Sequence, residues 1–204
     1  MDDKLKNILG MISEYIDEKH ANKKRWTPNK DWVMYAGSYY SSDEYIRATK
    51  TLLNEWLGLG EDALAFERKF PKHFGKEHGI LTNSGSSSNL IMMAAMKSKR
   101  LYNFPEGTKV IVPIAGFPTT LNPIFQVRFK PLFVDIEIDT LNLNLDQVEE
   151  CAKQGAKIIT FAHVLANPPN MDRLMQIVND YDLILLEDCC DALGSTYDGK
   201  SLGS

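Results

Sequence analysis

Four short runs of aliphatic residues constrain the fold of this chain more than any other feature. They are KVIV at 109–112, LFVD at 132–135, KIITFA at 157–162 and DLILL at 182–186. The segments between them carry apolar residues at helical spacing, over 119–127, 145–154 and 170–180. Strands that are apolar throughout and alternate with helices are typical of a parallel sheet covered on both faces. The sequence therefore predicts an α/β fold of three layers with a mainly parallel sheet.

The first part of the chain is organised differently. Residues 1–30 are predicted to form an N-terminal amphipathic helix, over 3–19, and a polar link, and residues 31–204 the main domain. The helix is expected to pack on the main body or on a second subunit; a docking arm for a partner is the alternative. Further elements are predicted before the first aliphatic run: helices over 43–57 (with Asp43 as N-cap) and 61–74, a strand over HGILTN at 78–83, and a helix over 89–99.

Composition excludes several classes of protein. The formal net charge of −4 at pH 7 argues against a nucleic-acid-binding surface. No apolar run approaches the roughly 20 residues that span a bilayer, and the acidic start does not resemble a signal peptide. Three cysteines make no disulfide framework. We therefore expect a cytoplasmic protein without membrane or nucleic-acid partners.

Ligands of open α/β sheets bind beyond the carboxyl ends of the strands, so functional side chains are expected at those ends. The stretch TNSGSSSN at 82–89 places Gly85, Ser86 and Ser87 at a helix start. Free amides and hydroxyls at such a position suit a phosphate. The stretch lacks the Gly-Lys-Ser/Thr ending of a Walker loop, and a serine-rich helix cap without a ligand explains it equally well.

Two further strand ends carry distinctive side chains. Phe117 follows a buried strand in a loop with Gly and Pro, where it could face a flat ring or lie in the core under the loop. Asp188 ends the last aliphatic run, where a carboxylate can pair with a protonated ring nitrogen or cap a helix. Glu187 alternates to the other side of the strand, and Asp191 could reach a phenolic oxygen. A phosphate-binding turn, an aromatic ring that can stack on a heterocycle, and an acid that can pair with a pyridine nitrogen together indicate a pyridoxal 5′-phosphate site.

Five stretches carry a resemblance to a known family: TNSGSSSNL, AGFPTTLNPI, FVDIEIDTLNL, AHVLANPPNMD and EDCCDALGSTYDGKSLGS. Over residues 35–204 the chain resembles the DegT/DnrJ/EryC1/StrS family of sugar aminotransferases. Within it, the combination of GFPTT with EDCCDALGS is most similar to the branch of nucleotide-sugar 3-dehydratases acting on CDP-4-keto-6-deoxyglucose in lipopolysaccharide and deoxysugar biosynthesis. The resemblance implies the large domain of the aspartate-aminotransferase fold (fold type I), a homodimer, and pyridoxal or pyridoxamine 5′-phosphate as cofactor.

The resemblance also implies roles for individual residues. Gly85, Ser86 and Ser87 would bind the phosphate, Phe117 would stack on the pyridine ring, and Asp188 would pair with its nitrogen. Further implied cofactor contacts are Asp191, His163 and Asn167, with a structural role for His163 as the alternative. The family usually has glycine where this chain has Ala166. NEWLGLGE at 54–61 resembles the Trp-Leu-x-x-Gly entrance segment, which would place Gly60 beside the substrate.

The resemblance also implies roles for the cysteines and a catalytic residue beyond Ser204. In the iron–sulfur branch Cys190 would serve a [2Fe–2S] cluster of the full-length parent, with a reductase as partner, while Cys189 and Cys151 would be packing residues. The catalytic residue, a Schiff-base lysine or a histidine general base, is expected beyond Ser204, and with it a C-terminal small domain. We therefore expect the N-terminal part of a nucleotide-sugar 3-dehydratase. The alternatives are a sugar aminotransferase and a non-catalytic fragment that keeps the dimer surface.

Overall fold

The computed structural model describes residues 2–34, 37–56 and 58–204. The start of the stretch 35–204 and the last residue of the predicted helix 43–57 lie outside the described residues. Contacts divide the chain into two compact units, residues 1–64 and residues 65–204. The proposed domain limit at residue 30 stays a prediction.

The first unit is helical. Helix α1 (Asp3–Ala21) packs against α2 (Ser42–Leu53), and α3 (Glu61–Lys69) begins at the end of the unit. The predicted N-cap of α2, Asp43, is wrong by two residues. Ser41 caps the helix instead, because its hydroxyl accepts the Asp43 amide while Glu44 reaches back to the Ser41 amide at 2.6 Å. This reciprocal pair is a capping box, which satisfies two amides where Asp43 alone would satisfy one.

The second unit holds the sheet. In chain order it contains a 3₁₀ helix (Phe70–Phe74), α4 (Gly85–Ala95), β1 (Lys109–Pro113), α5 (Pro118–Gln126), β2 (Lys130–Val134), α6 (Leu145–Lys153), β3 (Ile158–Ala162), a short 3₁₀ turn (Val164–Ala166), α7 (Met171–Asp180), β4 (Ile184–Asp188) and a small hairpin of β5 (Thr196–Tyr197) and β6 (Lys200–Ser201). The parallel order is β2-β1-β3-β4. The predicted three-layer α/β fold is confirmed.

Alternating side chains of the strands build a core on each face of the sheet. Ile111, Ile159 and Phe161 pack with α6 and α7 on one face. Val110, Val112 and Ile158 pack with residues of α4 and α5 on the other. All six strand residues are at most 1% exposed, which is why apolar residues fill consecutive positions of β1 and β3.

The predicted strand over HGILTN is absent. Residues 79–82 are described without strand pairing, Ile80 is 77% exposed, and the Leu81 amide donates to the Glu67 carboxylate at 2.8 Å. A strand requires a neighbouring strand to take its amides, and here a side chain takes that of Leu81. Among the described helices, none has an apolar stretch that would reach across a lipid bilayer.

The strand order creates one crevice at the carboxyl edge of the sheet. The chain moves outward from β1 to β2, then returns past β1 to β3 and β4. Where the direction reverses, between β1 and β3, the loops that follow these strands diverge and leave room for a ligand. The loop holding Phe117 follows β1, and His163 follows β3.

Candidate functional site

Asp188 is the last residue of β4 and lies half-buried at the carboxyl edge of the sheet. It pairs in register with Ala162 of β3, which fixes its backbone. Both oxygens of its carboxylate accept hydrogen bonds: Oδ1 from the Cys190 amide at 3.0 Å, and Oδ2 from the Asn89 side-chain amide at 2.7 Å. The carboxylate is therefore fixed in orientation, and it does not face bulk solvent freely.

The serine turn forms the start of α4. Ser84 is the N-cap, and its hydroxyl accepts the Ser87 amide at 3.2 Å. Gly85 and Ser86 occupy the first turn and are exposed, at positions whose amides have no acceptor within a helix. Gly85 has no left-handed φ, and a Cβ on it would meet no atom within 4 Å. The turn thus has free donors and open space beside them, as a bound phosphate requires.

Asn89 links the serine helix to the end of β4 and to the first turn of α5. It is a polar residue of α4 with only 9% exposure. Its Nδ2 donates to Asp188 after β4, and also to the Thr119 carbonyl in the first turn of α5 at 3.4 Å. Sequence reasoning missed this residue. The signal that could have found it is an asparagine at the head of the apolar helical run NLIMMAAM.

Phe117 is the N-cap residue of α5, immediately before Pro118. Its side chain is 70% exposed, so the alternative of a core phenylalanine under the loop is wrong. Because Asn89 contacts Thr119, the Phe117 loop, the serine helix and Asp188 belong to one local structure. The hydrogen bonds of Asn89 therefore connect the serine turn, the Phe117 loop and Asp188.

A cavity of about 470 Å³ opens beside Asp188. Its polar lining includes Gly85, Ser88, Asn89, Asp188 and Cys190. Its apolar lining includes Phe70, Phe74, Met92 and Leu193. Of the predicted site residues, Gly85, Asp188 and Cys190 thus share one cavity. Ser86, Ser87, Phe117, Asp191, His163 and Asn167 are not part of its lining.

His163 is completely buried and pairs with Glu187. Its Nε2 lies 2.9 Å from the Glu187 carboxylate, and its backbone amide donates to the Asp188 carbonyl at 3.1 Å. Its Nδ1 is buried without a hydrogen-bond partner among the described residues. A ring that is fully enclosed braces β3 against β4, which favours the structural role; the assignment as a cofactor contact stays a prediction.

The remaining predicted cofactor residues lie at the rim of the sheet. The Asn167 side chain donates to the Thr140 carbonyl at 2.9 Å, in the loop that follows β2. Asp191 is exposed in the turn after β4. The structure gives neither residue a contact with Asp188 or the serine turn, so their assignments remain predictions.

The cysteine pair does not form a metal centre with its surroundings. Among residues 2–34, 37–56 and 58–204, no group of three or more His, Cys, Asp or Glu side chains is arranged to hold an ion. Desolvation and the hydrogen bond to Asp188 raise the pKa of the Cys190 thiol to about 12, and desolvation raises that of Cys189 to about 11. These residues give no support to a [2Fe–2S] cluster, and the assignment of Cys190 to a cluster of the full-length parent stays a prediction.

Gly60 lies in a separate cavity of the first unit, with a volume of about 590 Å³. The Trp56 indole packs against it and donates to the Leu59 carbonyl at 3.1 Å. Arg47 and Lys50 line the same cavity, and Arg47 pairs with Asp62 at 2.9 Å. Glu61 and Asp62 also line this cavity, so its two cations are balanced by two acids. The role of Gly60 beside a substrate stays a prediction.

Known proteins resemble this chain over most of its length. The chain is 35% identical over 199 residues to the lipopolysaccharide biosynthesis protein RfbH of Salmonella typhimurium, covering 97% of this chain and 45% of that protein. It is 33% identical to the GDP-4-keto-6-deoxy-D-mannose 3-dehydratase of Escherichia coli O55:H7, covering 83% of this chain and 44% of the relative. The chain thus spans less than half the length of these relatives.

A solved structure confirms the fold class. The E. coli GDP-4-keto-6-deoxy-D-mannose 3-dehydratase with bound hydrated PLP superposes with a TM-score of 0.78 at 33% identity, over 83% of this chain and 43% of that one. Residues 39–204 match the DegT/DnrJ/EryC1/StrS aminotransferase family, and this is most of the chain. The chain therefore belongs to the DegT/DnrJ/EryC1/StrS aminotransferase family.

Proposed function

We propose that this chain is the cofactor-binding part of a nucleotide-sugar 3-dehydratase of deoxysugar or lipopolysaccharide biosynthesis that uses pyridoxamine or pyridoxal 5′-phosphate. The observation that carries the proposal is the Asp188 carboxylate, held at the sheet edge and hydrogen-bonded to the same helix that begins with the serine turn. Relatives that are 33–35% identical support it, since the E. coli protein is named a 3-dehydratase and the Salmonella protein a lipopolysaccharide biosynthesis protein.

The residues present fit this cofactor in three ways. The Asp188 carboxylate would accept the N–H of the protonated pyridine ring. The free amides of Gly85 and Ser86 and the hydroxyl of Ser86 would bind the phosphate at the positive end of α4. The exposed ring of Phe117 offers a face to a flat heterocycle.

Each group has a distinct part in the chemistry. When bound, pyridoxamine phosphate supplies an amine that reacts with a keto sugar and a ring that takes up electrons. Asp188 would pair with the ring nitrogen and hold a proton there, which would keep the ring electron-withdrawing. The serine turn would bind the phosphate, and Phe117 would stack on the ring. The general base that the resemblance places beyond residue 204 stays a prediction.

The substrate and the partners are inferred less directly. The name of the E. coli relative supports a 4-keto-6-deoxy sugar linked to a nucleoside diphosphate as the substrate. We propose CDP or GDP as the nucleoside diphosphate. A homodimer is supported by large apolar side chains left exposed in loops at the carboxyl edge of the sheet, Ile114, Ile138 and Leu165. A reductase partner and a cytoplasmic location are implied by the resemblance alone.

The proposal is tested by titrating the full chain with pyridoxamine phosphate and following the cofactor's absorbance and fluorescence. We expect saturable binding that Asp188→Asn weakens by about tenfold or more, because the amide cannot hold the ring proton. The matched control is Asp182→Asn, an exposed acid in the turn two residues before the start of β4, which should bind normally. No binding by a folded wild-type chain would overturn the proposal and favour a non-catalytic fragment.

The sugar aminotransferase is separated from the dehydratase by product analysis. A mixture of the chain, a complementary C-terminal half that carries the expected catalytic residue, pyridoxamine phosphate and a 4-keto-6-deoxy nucleotide sugar is analysed by mass spectrometry. A product that has lost one water from the sugar supports dehydration. A product that has gained the amine supports transfer and would contradict the proposed reaction.

A further inference from the structure

We propose that Asn89 is the positioning residue that fixes the Asp188 carboxylate for its ring partner without neutralising its charge. The inference rests on the proposed function, since the partner of Asp188 is the protonated ring nitrogen of the cofactor. It goes further by assigning a role to a residue in the middle of an apolar helix, four positions after the glycine of the serine turn.

The orientation of the Asn89 amide follows from its neighbours. Its nitrogen faces two acceptors, the Asp188 carboxylate at 2.7 Å and the Thr119 carbonyl at 3.4 Å. Turning the amide would place its oxygen against both acceptors and lose both bonds. The NH₂ group is therefore directed at Asp188, and its two hydrogens are used.

The donors that hold Asp188 are neutral. Its oxygens accept from the Asn89 amide and from the Cys190 backbone amide, and within the described part of the chain it forms no salt bridge. An arginine or lysine at this point would fix the carboxylate equally well but would cancel its charge. Two neutral donors fix its direction and leave the negative charge for a cationic ligand.

Room remains on the carboxylate for that ligand. A carboxylate offers about four lone-pair directions, and the two known donors use two of them. Asp188 and Asn89 both line the cavity of about 470 Å³, so the remaining directions include the open side. A ring N–H can therefore bind Asp188 without displacing Asn89.

The same helix also sets the length of the site. Gly85 and Asn89 are four residues apart on α4, which corresponds to about 6 Å along a helix axis. The amides proposed for the phosphate and the donor proposed for Asp188 thus lie on one rigid element. Removing the Asn89 contact should release one end of the site while leaving the other intact.

A double-mutant cycle on the full chain tests the proposal. Asn89→Leu removes the donors at similar volume, and Asn89→Asp replaces them with a second acid. We expect each to weaken pyridoxamine phosphate binding by about tenfold in the wild-type background, and by less than about twofold in the Asp188→Asn background. A residue that merely supports the fold would lower affinity equally in both backgrounds.

The outcomes separate the two proposals. Normal cofactor affinity in both Asn89 variants, with binding lost in Asp188→Asn, would overturn the role of Asn89 and leave the proposed function standing. Equal losses in both backgrounds would also overturn it. If the wild-type chain binds no cofactor, the proposed function fails, and the same cycle on the midpoint of urea unfolding decides whether Asn89 holds Asp188. Circular dichroism confirms that each variant is folded, and Asn89→Ser replaces any variant that is not.

Discussion

The turn between β3 and α7 contains backbone strain that a single substitution can release. Leu165 and Ala166 both have left-handed dihedrals, with φ of 53° and 63°. An L-residue with a Cβ pays roughly 1–2 kcal/mol for this conformation, and glycine does not. The family resemblance also implies glycine at the position of Ala166. We therefore expect Ala166→Gly to stabilise the chain.

The size of the effect is a difference of two terms. Relief of the left-handed conformation contributes about 1–2 kcal/mol, and the greater freedom of glycine in the unfolded chain costs about 0.4–1 kcal/mol. The net gain should be about 0.5–1 kcal/mol. For a chain of this size that corresponds to a rise of roughly 1–4 °C in Tm.

Urea unfolding followed by far-UV circular dichroism measures this change. Tryptophan fluorescence is unsuitable, because all three tryptophans lie within residues 1–64 and Ala166 lies in the other compact unit. The matched control is Ala94→Gly, an exposed alanine within α4, which should destabilise by roughly 0.5–1 kcal/mol. If Ala166→Gly destabilises as the control does, the residue is not held in the left-handed region and the reasoning fails.

Two further predictions concern the residues around Asp188. Alkylation of Cys190 should be slow near pH 8 and should still accelerate above pH 10, because the raised pKa of its thiol, about 12, leaves little thiolate. The Asp188→Asn variant should be alkylated faster. An alkylation rate that levels off by about pH 9 would contradict the raised pKa. His163→Phe should destabilise the chain by about 1–3 kcal/mol in urea unfolding, because it leaves Glu187 without its buried partner. Glu187→Gln should cost less, since an amide oxygen still accepts from the ring; equal costs would contradict a pairing role.

The sheet was predictable from the sequence because its central strands, β1 and β3, are buried on both faces. All four strands were placed within about two residues, and the helices between them follow from apolar spacing. Two elements were not predicted correctly, because strand formation depends on pairing partners that the local sequence pattern does not show. HGILTN has strand-forming residues but no neighbouring strand to take its amides, and the hairpin of β5 and β6 is only two residues long on each side.

The sequence predicted which residues lie near the candidate site but not how their side chains contact one another. A parallel sheet brings the carboxyl ends of its strands to one edge, so Asp188, Phe117 and the serine turn were expected near one another. The direction of each side chain was not predictable. His163 could have faced the crevice or the interior, and its complete burial against Glu187 is a consequence of packing between β3 and β4.

Asn89 is a polar residue in an apolar helix, and its burial requires a hydrogen-bond partner. The bond to Asp188 joins residues 99 positions apart, and no local pattern encodes such a pair. Yet burying an amide costs free energy unless it is hydrogen-bonded, so an asparagine heading a helix that packs on a sheet must have a partner in the fold. The nearest groups that can serve are those at the strand ends, where carboxylates and free carbonyls collect. From the sequence alone, this reasoning would have predicted a bond between Asn89 and one of the strand-end acids, and Asp188 is the acid whose charge the proposed chemistry requires.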